Sequence, residues 1–192
     1  SANPFDWMEA SFFYTNVDGR PYCYEEFDVV CQQDFKDKGF NIKLRLKEQG
    51  KFPAIAVGLQ DFAGTGIYSS EYIVGSYGIN RTDFHFAIGY GLLNGSDLSF
   101  KNPLTYISNQ FNDRPSETQS LGGSFQPSRY FSGETASPFF GVSHAVRDKL
   151  ILKLEYDSSV RPGLVPFMIP KEDFSFGADY LINDNLSIGF SI

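Results

Sequence analysis

Residues 40–47 read Phe40-Asn41-Ile42-Lys43-Leu44-Arg45-Leu46-Lys47. Four apolar side chains interleave with four polar or basic ones. Successive side chains of a strand point to opposite faces, so this stretch makes a strand with one greasy face and one charged face. Helical spacing would scatter both sets around the cylinder.

The same two-beat pattern recurs along the chain. Phe84, Phe86, Ile88, Tyr90 and Leu92 alternate with Asp83, His85, Ala87, Gly89 and Gly91. Leu150, Leu152, Leu154 and Tyr156 are set against Lys153, Glu155 and Asp157. Phe174, Phe176, Ala178, Tyr180 and Ile182 alternate with Ser175, Gly177 and Asp179, and Leu186, Ile188, Phe190 and Ile192 with Ser187, Gly189 and Ser191. Extending this reading predicts nine strands, at 5–16, 39–47, 52–60, 72–78, 82–92, 138–146, 150–158, 173–182 and 186–192.

The connections between these strands alternate in length. Short ones fall at 48–51, 79–81, 147–149 and 183–185, and long ones at 17–38, 61–71, 93–137 and 159–172. Long loops therefore gather at one end of the sheet, as in outer-membrane barrels with short periplasmic turns and long external loops. A strand of about nine residues, rising roughly 3.3 Å per residue and tilted by about 40°, spans the apolar band of such a barrel. The expected fold is thus all-β: an antiparallel up-and-down transmembrane β-barrel, with residues 1–192 forming a single domain. Nine strands would leave the two ends on opposite sides, so the expectation includes an incomplete barrel, a piece of a longer chain. A soluble β-sandwich or jelly roll would share the alternation, but it does not predict long loops at one end only.

The composition agrees. The chain has 192 residues, 20 Phe and 11 Tyr, more aromatics than a soluble core of this size requires and suited to a barrel wall with its interfacial girdles. No run approaches the roughly 18 apolar residues of a membrane helix. The net charge of -7 excludes nucleic acid as a partner, because phosphate binding needs clustered Lys and Arg. Cys23 and Cys31 share one polar segment, and their spacing suits a disulfide formed in an oxidising compartment. Two free thiols are the alternative. No histidine lies near them to complete a metal site, and neither metal nor cofactor is expected.

Three stretches carry a family resemblance: PFDWMEASFFYTN at 4–16, FPAIAVGLQDFAGTGIYSSEYIVGS at 52–76, and ILKLEYDSS followed by FSFGADYLINDNLSIGFSI at 151–192. Together with DFKDKGFNIKLRLKE at 34–48 they resemble the YjbH family of bacterial outer-membrane proteins, linked to exopolysaccharide and group 4 capsule production. GLQDFAGTG followed by SSEY is the most specific part. The resemblance implies a Gram-negative outer-membrane barrel working with a polysaccharide export system, and usually a longer chain. Cys23 and Cys31 are not a family feature.

Candidate functional residues fall in three places. In the 60–72 segment, Asp61, Tyr68, Glu71 and Tyr72 could be presented to a glycan, since carboxylates accept hydroxyl hydrogen bonds and aromatic faces stack on sugar rings. A tight external loop with purely structural roles for them is the competing reading. Lys43, Arg45 and Lys47, with Asp83, His85, Lys153, Glu155, Asp157 and Asp179, are expected to line the lumen as a network of opposite charges. The long 93–137 segment holds Tyr106, Phe111, Phe125, Tyr130 and Phe131, and its aromatic content favours an ordered loop over or into the barrel mouth. Asp83 and His85 share a face and His144 is the other histidine, but no nucleophile motif accompanies them, so no catalysis is expected. The reading is a non-enzymatic outer-membrane barrel that assists export or surface assembly of an exopolysaccharide. Its partners would be outer-membrane lipid, the polysaccharide and other export components. A small-solute channel and a soluble glycan-binding β-domain are the alternatives.

Overall fold

The computed structural model describes residues 1–25, 29–115, 126–160, 174–183 and 186–192, with backbone alone at 18–20, 22, 24–25 and 29–33. Phe125 and most of the expected 159–172 loop lie outside the described residues. Eleven strands form one antiparallel sheet: β1 (Ala2–Phe5), β2 (Met8–Glu25), β3 (Val29–Lys47), β4 (Ala54–Gln60), β5 (Ser70–Ile79), β6 (Thr82–Gly91), β7 (Phe100–Lys101), β8 (Thr135–Arg147), β9 (Leu150–Tyr156), β10 (Phe174–Asn183) and β11 (Leu186–Ser191). Ten of them follow one another as a meander, and the two-residue β7 pairs with β8 at the rim. Among the described residues β1 and β11 do not pair with each other, so the sheet is open. No helix among these residues is long and apolar enough to cross a membrane.

Two expectations need correction. The first strand breaks at Asp6 and Trp7, giving β1 and β2, so the meander has ten strands rather than nine and the parity argument loses its basis. Residues 17–38 are not a loop. β2 and β3 run on through most of that stretch as a long hairpin, paired as far as Glu25 and Val29. Cys23 is disulfide-bonded, and the ladder sets it opposite Cys31, the other cysteine of the sequence.

The register sorts side chains into two faces, and large apolar side chains stand exposed on one of them. Ile42, Leu59 and Val57 share a face with Ile73, Ile88, Phe86, Phe140 and Leu154. On this apolar face Phe86 is 57% exposed, and Phe190 at the far end of the sheet is 63% exposed. On the polar face and at the rim, Asp37, Glu71 and Ser137 are 0% exposed. A large exposed apolar surface beside buried polar groups is the informative departure from ordinary globular burial.

One irregularity redirects a predicted residue. Arg45 pairs with Ala56, yet Lys47 pairs with Ile55, so the ladder slips by one residue between them. A one-residue slip turns every following side chain to the other face. Lys47 therefore leaves the polar row, joins the face of Ile55, and sets its Nζ 4.8 Å from the centre of the Phe52 ring.

Candidate functional site

The polar face carries a cavity of about 470 Å³ whose walls include Lys43, Arg45, Gln60, Tyr72, Ser76, His85, Leu93 and Phe139. Five neighbouring strands, β3, β4, β5, β6 and β8, build it. Gly58 of β4 and Gly89 of β6 flank Tyr72 of β5 in register. A Cβ on Gly58 would fall 2.2 Å from the Tyr72 ring, so the ring lies over the space that the glycine leaves. Gly89 does the same for Leu93 and Phe139. The Tyr72 and Phe139 rings then meet edge to face, with centroids 5.9 Å apart, an arrangement that fixes both planes. His85 Nδ1 and Ser76 Oγ lie 2.8 Å apart across the β5–β6 pair. Gln60 accepts the Ser70 hydroxyl at 2.5 Å.

Of the four residues predicted to face a glycan, only Tyr72 lines this cavity. Tyr68 packs edge to face on Phe13, 5.7 Å away, and its backbone N–H donates to Asp61 at 3.1 Å. Burial pushes the Tyr68 hydroxyl above its ordinary pKa, and the nearby Asp37 charge adds to this. Asp61 is 4% exposed and sits at φ 52°. Its backbone N–H donates to Asn41 Oδ1 at 3.0 Å, while its own Oδ1 is buried without a hydrogen-bond partner. Desolvation, then the Asp37 charge, raise its pKa to about 7.

Glu71 does not line the cavity. Adjacent strand residues point to opposite faces, and Glu71 lies on the side opposite Tyr72, fully buried at the rim. Arg114 grips its two carboxylate oxygens in a fork, with both N···O distances at 2.8 Å, and the Phe131 N–H donates to it at 3.0 Å. The same guanidinium donates to the Arg129 carbonyl at 2.9 Å and to Ser69 Oγ at 2.9 Å. Phe131 meets Tyr90 edge to face at 5.4 Å, and the Tyr130 hydroxyl donates to the Phe62 carbonyl at 2.6 Å. Residues 126–133 of the long segment thus pack on the rim beside Glu71, Tyr90 and Phe62. Tyr106 is exposed, beneath the Lys101 ammonium at 4.9 Å.

The predicted charge network resolves into separate pairs. Lys153 and Asp179 form an ion pair at 2.5 Å on the polar face, with Glu155 beside them on β9. Arg45 pairs with Glu48 at 3.0 Å, and Lys43 stands opposite Glu9. Asp83 lies over Gly78. Lys47 has turned away through the slip described above. Asp157 is beyond the end of β9 and caps the Ser159 N–H and hydroxyl at 2.9 and 2.8 Å. His85 and His144 lie on opposite faces, His144 being hydrogen-bonded to Thr82 at 2.8 Å. Among the described residues no group of His, Cys, Asp and Glu side chains could hold a metal ion.

Sequence reasoning missed Gln60, Ser76 and Phe139 as cavity residues, and the two glycines that make room for its rings. Gly58 and Gly89 at polar-face positions beside an aromatic residue were the available signal. Arg114 had none, because it lies 43 residues from Glu71 in a stretch without periodicity.

A family model described as "YjbH: Exopolysaccharide biosynthesis protein YbjH" matches residues 1–192. The chain is 35% identical over 194 residues to the "Uncharacterized lipoprotein YjbH" of Escherichia coli (strain K12), an alignment that covers 100% of the chain and 27% of that relative. No solved structure matches the chain. The chain belongs to the YjbH family of exopolysaccharide biosynthesis proteins.

Proposed function

We propose that the chain is part of an outer-membrane β-barrel that assists export or surface assembly of an exopolysaccharide in the Gram-negative envelope, without catalysing a reaction. The observation that carries this reading is the exposed apolar face, where Phe86, Phe174, Ile188 and Phe190 are each more than two-fifths exposed. Lipid is the solvent that suits such a face. Among the described residues the outer edges of β1 and β11 have no partner strand, and in hydrocarbon such edges need pairing. The family's link to exopolysaccharide biosynthesis supplies the process, and the lipoprotein relative supports the envelope as the location.

The test uses full-length protein expressed with its envelope-targeting signals. It should fractionate with the outer membrane and run at a different gel mobility before and after heating. Phe86→Lys separates the two solvents sharply. On a lipid-facing wall the charge costs about 2–4 kcal/mol near mid-membrane, so the heat-modifiable form should drop severalfold. On a water-facing surface the same change stays within about 0.5 kcal/mol, and an unaltered or more soluble Phe86→Lys protein would remove the barrel reading. Deleting the gene should reduce exopolysaccharide on the cell surface, and undiminished polymer would remove the export role.

A further inference from the structure

We propose that the polar-face cavity is a subsite for an acidic sugar, in which Tyr72 stacks on one pyranose ring while Lys43 and Arg45 hold a carboxylate on that ring or its neighbour. The proposal rests on the export reading and adds the class of polymer and the place where it is held.

Three features converge there. Tyr72 lies over the space left by Gly58 and beside Phe139, the two rings nearly perpendicular, so a flat aromatic ring is held in place before any ligand arrives. Such a face suits the C–H surface of a sugar ring, and its preset orientation lowers the ordering cost of binding. Ser76 and His85 form a hydrogen-bonded pair on the same wall, and Gln60 lies along it, which supplies donors and acceptors for hydroxyl groups. The charged groups of the lining are both cations, Lys43 and Arg45, set two residues apart on β3. Arg45 holds Glu48 at the surface, with that carboxylate 78% exposed. A surface ion pair of this kind is weak and exchanges readily for a bidentate ligand carboxylate. Glu9 stands cross-strand from Lys43 and lies outside the lining. A volume of about 470 Å³ falls in the small-ligand range and suits one or two sugar rings.

The experiment titrates the full chain in detergent micelles with tri-galacturonate, a hyaluronan tetrasaccharide and, as the neutral probe, maltotriose. Heat-modifiable mobility is read on every sample. The acidic probes should bind at least about tenfold more tightly than maltotriose, because each charge-assisted hydrogen bond contributes about that factor or more. Lys43→Gln with Arg45→Gln should remove that preference. Gly58→Ala, which crowds the Tyr72 ring, should weaken acidic and neutral probes alike. Lys149→Gln, at an exposed turn, should leave affinity unchanged. If neither acidic probe binds while the barrel form persists, or if Lys43→Gln/Arg45→Gln binds as the native chain does, the subsite is overturned and the export reading stands. Acidic-probe binding by a chain without heat-modifiable mobility would keep the subsite and remove the membrane reading instead.

Discussion

Arg114→Ala should free the segment around Phe131 from the rim and make the bond after Arg129 sensitive to trypsin. Glu71 is fully buried, and in the native chain its carboxylate is satisfied by the Arg114 fork, the Phe131 N–H and the Ser69 hydroxyl. Removing the guanidinium leaves a buried carboxylate with its main partner gone, which costs about 3–5 kcal/mol in comparable sites. The same guanidinium also ties down the Arg129 and Ser132 carbonyls, so the loss reaches both ends of the 129–132 turn. Local opening is governed by such anchors rather than by the stability of the sheet. Cleavage after Arg129, itself only 7% exposed, should therefore rise by two to three orders of magnitude while the heat-modifiable form of the barrel persists. A joint Glu71→Leu and Arg114→Met change discriminates an unpaired charge from lost packing, because replacing both ionic partners by apolar groups is often near neutral. The double variant should resist trypsin better than Arg114→Ala. Equal sensitivity in the two, or no change in Arg114→Ala, would show that the fork does not hold the segment.

The contrast between Glu71 and Tyr72 shows what a sequence discloses about a sheet and what it hides. Alternation from Phe40 to Leu44 and from Phe84 to Tyr90 is a backbone property, so strand positions and faces could be read directly from it, mostly to within a few residues. The slip at Arg45–Lys47 has no such signature, since a bulge is set by pairing with the partner strand, and one inserted residue moved Lys47 to the other face. The 17–38 stretch looked like a loop because its sequence keeps no strict apolar/polar alternation, whereas the backbone carries the β2–β3 ladder on beyond β4. Glu71 looked like a partner for Tyr72 because the two adjoin in sequence, although adjoining strand residues are the pair least able to act on one ligand. Its true partner, Arg114, is brought to it by the fold of a non-periodic segment, and only the three-dimensional packing reveals that choice.

Asp61 should make the 61–69 loop less stable as the pH rises from about 4 to about 7. Its pKa in the folded chain is raised to about 7 from the ordinary carboxylate value of 3.8, by desolvation first and by the Asp37 charge second. Within that interval the folded loop binds a proton that the opened loop does not. Stability therefore falls with rising pH, is fully present below the unfolded pKa, and reaches its lower plateau above about 7. A tenfold change in proton affinity corresponds to about 1.4 kcal/mol, so the loss across the interval is at most about 4 kcal/mol for this 4% exposed side chain. The geometry explains the direction. Oδ2 accepts the Tyr68 N–H and Oδ1 rests over Gly39 and Gly64, while the Gly66 amide and Arg129 offset only part of the desolvation. Asp61→Asn removes the charge, keeps an acceptor for Tyr68 and tolerates the left-handed backbone at φ 52°. Hydrogen exchange at the Tyr68 amide, corrected for its intrinsic pH dependence, should show protection falling across pH 4–7 in the native chain and staying flat in Asp61→Asn. At pH 8 the variant should be the better protected of the two. A native profile as flat as that of the variant would mean that Asp61 is ionised in the folded loop throughout, held by a donor that compensates Oδ1.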